Sequence, residues 1–310
     1  MASSGNLAPS IPSLAQGRLL ILAAAVLWSL SGGFTKALTQ ETRFGLNHPE
    51  LTPLLIAMAR VLSAGLILLP MLRRRDLSFQ PMMLVMVASF ATMNALFVTA
   101  MARGTAANAI LLQYSAPFWM FGASVLWLKE KADMRSLFAV ALGSLGIAII
   151  VVGGWEGNDL PVVAMGLGSG LAYAAVLICL RVLRNASSRW LTILNSLFSG
   201  LILIPFLGEW PSLTVAQIVT LFLFGSLQMG LPYWLVARGL RSVSPQEAGA
   251  ITLLEPILNP IWAYLVSQEV PDKFTWIGGG FIVGALLWRY WPRDRSEIVP
   301  ITGPASGPSG

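Results

Sequence analysis

Ten apolar runs, each close to the length that spans a bilayer, make up most of this chain and leave few folds open to it. They are Leu19–Leu38, Leu54–Leu72, Met82–Met101, Thr105–Leu128, Leu137–Gly154, Val162–Leu180, Trp190–Leu207, Val215–Ala237, Ala248–Val266 and Phe274–Tyr290. A transmembrane helix needs about 17–25 mostly apolar residues, because the hydrocarbon core is about 30 Å thick. The connections are short and leave no room for a folded soluble domain. The expected fold class is an all-α integral membrane protein with ten transmembrane helices. Composition agrees: 55% of the 310 residues are hydrophobic and 11% charged, where soluble domains carry about 25% charged residues. So few charges cannot clothe a water-exposed surface, and lipid must cover much of it.

The basic residues set the expected orientation. Fifteen of the 20 Lys and Arg lie on the side of the chain termini, in clusters such as Arg73–Arg75 and Arg181, Arg184 and Arg189. Four lie on the other side: Lys36, Arg43, Arg103 and Lys273. The positive-inside rule then puts both termini in the cytoplasm of a bacterial-type inner membrane. The net charge of +6 is spread over short loops rather than gathered on one face, which argues against nucleic acid as a partner. Cys179 is the one cysteine and forms no intrachain disulfide. Residues 1–17 read as a flexible, Ser/Pro/Gly-rich tail and 293–310 as a second. The first apolar run lacks a basic segment before Arg18 and reads as a retained helix rather than a cleaved leader.

The two halves resemble each other. Gly65-Leu-Ile-Leu-Leu-Pro70 recurs as Gly200-Leu-Ile-Leu-Ile-Pro205, and Ala102-Arg103-Gly104 as Ala237-Arg238-Gly239, both 135 residues apart. Pro117 and Glu130 match Pro256 and Glu269 at a spacing of 139. These spacings divide the chain into a first five-helix repeat, 18–154, and a second, 155–292. Five crossings is an odd number, so the second copy enters the membrane from the opposite side. Inverted repeats recur in secondary transporters, whose halves exchange conformations about a midplane site.

These features, with Leu254-Glu255-Pro256 and the spacing from proline to glutamate at the ends of the fourth and ninth runs, resemble the drug/metabolite transporter superfamily and its EamA-type exporters. The likeness covers Arg18 to Trp291. The Trp and Met richness and the stretch Arg103-Gly-Thr-Ala-Ala-Asn108 are similar to the bacterial aromatic amino acid exporters of that group. The resemblance implies a basket of helices around a central cavity, with the fifth and tenth helices peripheral. It also implies export of amino acids or related metabolites. No cofactor or metal is expected.

Independently of the resemblance, polar side chains within lipid are costly and belong in an interior or a wet cavity. The candidates for substrate binding are Trp28, Ser31, Asn94, Gln113, Tyr114, Tyr173, Gln228, Thr252, Glu255 and Asn259. Helix-to-helix hydrogen bonding is the competing role for these side chains. Pro117, Pro256 and Pro260 mark helix breaks, since proline frees the carbonyl four residues before it; Pro232 does the same for Gln228. Broken helices at matching places in two repeats point to a binding site. The fifth and tenth runs, with Gly143, Gly146 and Gly280-x-x-x-Gly284, offer a solute no partner and read as packing closely or facing lipid.

Glu255 lies deep in its helix, with three roles open: binding a substrate ammonium, carrying a proton, or bonding the backbone loosened by Pro256. Arg60 is similarly deep and suits either a substrate carboxylate or a structural contact to backbone or Glu255. Trp28 and Tyr173 occupy equivalent positions, each eight residues before a basic residue, and read as lining the pathway. Trp155, Trp210, Trp276, Trp288 and Trp291 read as interfacial belt.

The expected partner is a small zwitterionic or neutral solute, aromatic in one version, within a lipid bilayer; a homodimer is compatible with the sequence. Against an enzyme, the lone His48 sits in a loop, and neither a zinc-binding His-Glu-x-x-His nor paired intramembrane Asp exists. Nucleotide sugars or sugar phosphates as cargo would call for several deep cations, and Arg60 alone is plainly deep. A receptor or scaffold without flux is the alternative from another class.

Overall fold

The computed structural model describes residues 12–126, 129, 134–156, 159–208 and 210–291, all helix or connection, with no strand among them. The tail expected at 293–310 lies outside this set, as do residues 1–11 and Glu130. Residues 14–17, within the segment expected as the first tail, are helical. Ser13 and Gln16 form a reciprocal capping box, and helix α1 starts at Leu14. A capping box satisfies two otherwise orphaned backbone donors, so it starts the helix ahead of the apolar run.

The helices follow in order: α1 Leu14–Ser29, α2 Ser31–Thr39, α3 Pro53–Leu68, α4 Met82–Arg103, α5 Ala106–Gln113, α6 Ala116–Leu126, α7 Met134–Glu156, α8 Leu160–Val182, α9 Ser188–Leu203, α10 Val215–Leu223, α11 Leu231–Gly239, α12 Pro245–Thr252, α13 Leu254–Ser267 and α14 Lys273–Tyr290. Eight of the described helical segments are long and apolar enough to cross a membrane. The other two expected crossings are the interrupted pair α5–α6 and the 18-residue α14. Leu66, Leu84, Leu171 and Leu201 are exposed, as side chains facing lipid would be.

The interruptions have chemical causes. Pro117 is the second residue of α6 and Pro256 the third of α13, and the chain breaks at Tyr114–Ser115 and at Leu253. Pro232 cannot donate to Gln228, and residues Phe224–Gly230 before it widen into a π-helix. The break at Leu30, between α1 and α2, has no proline and was not signalled by the sequence. Pro260 lies inside α13, which continues past it.

Packing brings related segments together reciprocally. A Cβ on Gly65 of α3 would meet Leu197 of α9 at 2.6 Å, and one on Gly200 of α9 would meet Leu62 of α3. Gly65 and Gly200 are 135 residues apart, as are Leu62 and Leu197. Likewise Gly239 of α11 packs on Gly17 of α1, and Gly104 packs on Val162 of α8. Gly104 and Gly239 are 135 residues apart and Gly17 and Val162 are 145 apart, the offset that also separates Trp28 from Tyr173.

Helices α7 and α14 pack on each other through Gly146, one of the expected glycines, but not through Gly280 and Gly284. Gly280 and Gly284 face open space. The close approach is Gly146 against Gly278, where an added Cβ on either would lie 2.5 Å from the other's carbonyl oxygen. The i, i+4 spacing of small residues states that one face is flat without stating which face meets a neighbour.

Candidate functional site

Two ends of the bundle can be told apart by their contacts. At one, Arg18 pairs with Glu247 at 2.5 Å, Gly249 approaches Tyr290, and Arg135 donates to the Trp288 and Trp291 carbonyls. This is the end where the described chain starts and finishes. At the opposite end Lys36, fully buried, pairs with Glu269 at 2.5 Å and donates to Gly104 O at 2.6 Å. The other Glu269 oxygen accepts from Ala106 N–H at 2.7 Å. Asn108 accepts from Thr275 at 2.6 Å. The Arg103–Asn108 stretch thus supplies a carbonyl, an N–H and an amide that tie together α2, the segment just after α13, and α14.

Beneath this closure Phe34 and Phe224 stack with centroids 5.0 Å apart and planes within 10°. Next comes Arg60, 2% exposed, its guanidinium over the rings of Phe97 (5.6 Å) and Phe224 (5.3 Å). A cavity of about 260 Å³ begins at Arg60 and Phe97 and runs to Gly249 and Tyr290 at the terminal end. Arg60 is seven residues from the start of α3 and Phe97 six from the end of α4, so the cavity stops roughly 9–11 Å short of the closed end.

Six of its 17 lining residues are aromatic: Trp28, Phe97, Tyr114, Tyr173, Tyr233 and Tyr290. Trp28 meets Tyr233 edge to face, with centroids 5.7 Å apart. Arg60 is the one cation and Glu255 the one carboxylate of the lining. Glu255 accepts a hydrogen bond from the Tyr114 hydroxyl at 2.8 Å, and that hydroxyl also lies 3.2 Å from Thr252 O. Thr252 O is the carbonyl that Pro256 leaves without its helical donor. Tyr114, not Glu255, reaches the loosened backbone.

Arg60 sits in a relay across four helices. Its Nη1 donates to Gln228 Oε1 at 3.5 Å and its Nη2 to Asn94 Oδ1. Gln228 donates in turn to Trp28 O at 3.1 Å, and Asn94 to Phe90 O at 2.9 Å. The structural contact considered for Arg60 was to backbone or to Glu255. Its partners are instead two neutral side-chain amides.

Of the residues expected to bind solute, Trp28, Gln113, Tyr114, Tyr173, Gln228, Thr252 and Glu255 line this cavity, together with Pro117. Ser31, Asn94 and Asn259 do not. Asn259 donates to Ser31 at 2.7 Å, both fully buried, and ties α2 to α13; Asn94 holds Arg60. Pro256 and Pro260 are buried within α13. Met93, Phe97, Leu177, Met229, Tyr233 and Tyr290 line the cavity without having been singled out. One apolar side chain in a lipid-soluble helix reads the same whether it faces lipid or a cavity. The i, i+4 offset of Met229 and Tyr233 from each other and of Tyr173 from Leu177 was the available signal. Of the expected belt, Trp210, Trp276, Trp288 and Trp291 are exposed, and the side chain of Trp155 lies outside those described. Among the described residues no cluster of His, Cys, Asp or Glu could hold a metal.

The sequence profile of the EamA-like transporter family matches residues 15–152 and again residues 160–291. Similar proteins include an uncharacterized inner membrane transporter of Salmonella typhimurium, YicL, 22% identical over 89% of this chain and 95% of that protein. An uncharacterized transporter of Archaeoglobus fulgidus is 26% identical over 62% of this chain and 71% of its own length. A riboflavin transporter of Vibrio cholerae is 24% identical over 61% of this chain and 64% of its own. A protein crystal structure 14% identical in sequence superposes with a TM-score of 0.60 over 89% of this chain and 98% of its own, a likeness of fold.

Proposed function

Because the chain belongs to the EamA-like transporter family, a family of membrane transporters, we propose that it is a secondary transporter that exports apolar, amino-acid-like solutes by alternating access through the cavity. The carrying observation is the wall itself: six aromatic rings around one arginine and one glutamate. Aromatic faces suit an apolar side chain and stack with a ring, while the two charges suit a solute that is positive at one end and negative at the other. A phosphorylated sugar or nucleotide sugar would meet one cation and one repelling carboxylate.

The mode of transport rests on the reciprocal packing of related segments, on the profile's matching each half, and on the interruptions beside Pro117 and Pro256. All three suit two inverted five-helix halves that trade conformations, with ten crossings and both termini in the cytoplasm. In this reading the structure is closed by Lys36–Glu269 on the outside and has its cavity reaching toward the cytoplasm. A bacterial inner membrane is the proposed location. A second reading, carriage of an uncharged planar aromatic solute, is favoured by the aromatic wall and by the relative named as a riboflavin transporter.

The test is flux in proteoliposomes, with and without a proton gradient, for phenylalanine, leucine, phenethylamine, riboflavin and a sugar phosphate. Phenylalanine and leucine are expected to move. Movement of riboflavin alone supports the second reading, movement of the sugar phosphate alone contradicts both, and binding without flux of any solute favours a receptor.

A further inference from the structure

We infer that Arg60 is the anchor for a carboxylate on the transported solute, with Gln228 and Asn94 as the residues that position it. The inference rests on the reading of the cavity as a solute site. A guanidinium carries five N–H donors in a fixed fork. Here two are used, one of them at 3.5 Å, and both on neutral amides. Nε is buried and has no partner. Among the described residues no carboxylate lies within 4.0 Å of Arg60, although Glu255 lines the same cavity. A buried charge whose donors are left over is costly unless something fills them, and the residue borders the cavity.

The surroundings favour an anion over a permanent protein partner. Phe97 and Phe224 hold the guanidinium from the side, and the amides of Gln228 and Asn94 fix its rotation without neutralising its charge. Two parallel N–H groups of a planar fork match the two oxygens of a carboxylate. With Glu255 also on the wall, an amino acid would place its carboxylate at Arg60 and its ammonium toward Glu255, its side chain among the rings. The placement explains why one deep arginine is kept where lipid-soluble helices otherwise exclude charge.

The test uses two probes that differ only at the charged group, 3-phenylpropionate and 3-phenylpropanamide, binding to purified full-length protein followed by tryptophan fluorescence. The native protein is expected to favour the acid by about ten- to a hundredfold, the range for hydrogen bonds to a charged group. Arg60→Gln should bring that ratio close to one while leaving the amide's affinity within about threefold. If Arg60→Gln fails to fold, Gln228→Glu carries the test. It is nearly isosteric and sets a carboxylate beside Arg60, so the ratio should collapse with the arginine still present. Arg60→Lys, which keeps the charge and loses the fork, should retain part of the preference. Three results overturn the inference: no preference for the acid in the native protein, no binding of either probe, or a preference that survives both Arg60→Gln and Gln228→Glu. The export reading fails separately, when amino acids bind but none is carried across the membrane.

Discussion

Tyr114 and Glu255 divide the work that Glu255 alone was open to in the sequence. The tyrosine hydroxyl reaches both the carbonyl freed by Pro256 and the glutamate. The glutamate then faces the cavity with its role toward the backbone already taken. Glu255→Gln keeps an acceptor for Tyr114, so the protein should fold and unfold thermally much as before. It should lose about tenfold in affinity for phenylalanine against its uncharged analogues, because a charge-assisted bond to the ammonium becomes a neutral one; a titration of both ligands checks this. Tyr114→Phe leaves an acceptor on each side without its donor, at about 1–3 kcal/mol, read as a lowered unfolding temperature in detergent. Trp28 and Tyr173 were legible as lining because each precedes a basic residue by eight positions, though the ring that Trp28 meets is Tyr233. Trp28→Ala should weaken phenylalanine several-fold more than alanine, since ring contacts contribute about 0.5–1.5 kcal/mol beyond burial. Equal loss for both solutes in a flux assay would point to packing.

Elements were legible where proline punctuates them and less so elsewhere. Pro117 and Pro256 announced the breaks at Tyr114–Ser115 and Leu253, whereas the break at Leu30, beside the Ser31–Asn259 hydrogen bond, carries no local mark in the sequence. The closure formed by Lys36 and Glu269 was invisible in sequence because its partners are 233 residues apart. Lys36→Met leaves Glu269 buried without its cation and should destabilise the fold by roughly 3–5 kcal/mol, while Lys36→Met with Glu269→Met recovers much of that. A double-mutant cycle on thermal unfolding checks it, and additive losses would remove the pair from the account. At the periphery, Gly146→Ala and Gly278→Ala push a methyl into the opposite backbone and should cost about 1–3 kcal/mol. Gly280→Ala and Gly284→Ala point into open space and should stay within about 0.5 kcal/mol.

For the whole molecule, the membrane class was legible in sequence, because apolar length, like the 135-residue offset, is a property of the chain in one dimension. Which side chains converge is not. Arg60, Asn94 and Gln228 come from three separate helices, and only folding brings them to one place. Sidedness follows from charge and can be read directly. In a Cys179→Ala background, Glu41→Cys should react with an impermeant thiol reagent on intact cells and Ser78→Cys only after permeabilisation. The opposite pattern would reverse the direction assigned to export. The central claim is that the cavity is a carrier's site, presented to each side in turn. Counterflow tests it most directly: proteoliposomes loaded with unlabelled phenylalanine are diluted into a trace of radiolabelled phenylalanine without any ion gradient. A carrier should draw the label in to a transient excess over the level reached in unloaded vesicles, and that excess should shrink in the Trp28→Ala protein. Label that enters no faster with loading than without it, in a protein that binds phenylalanine, would contradict the account.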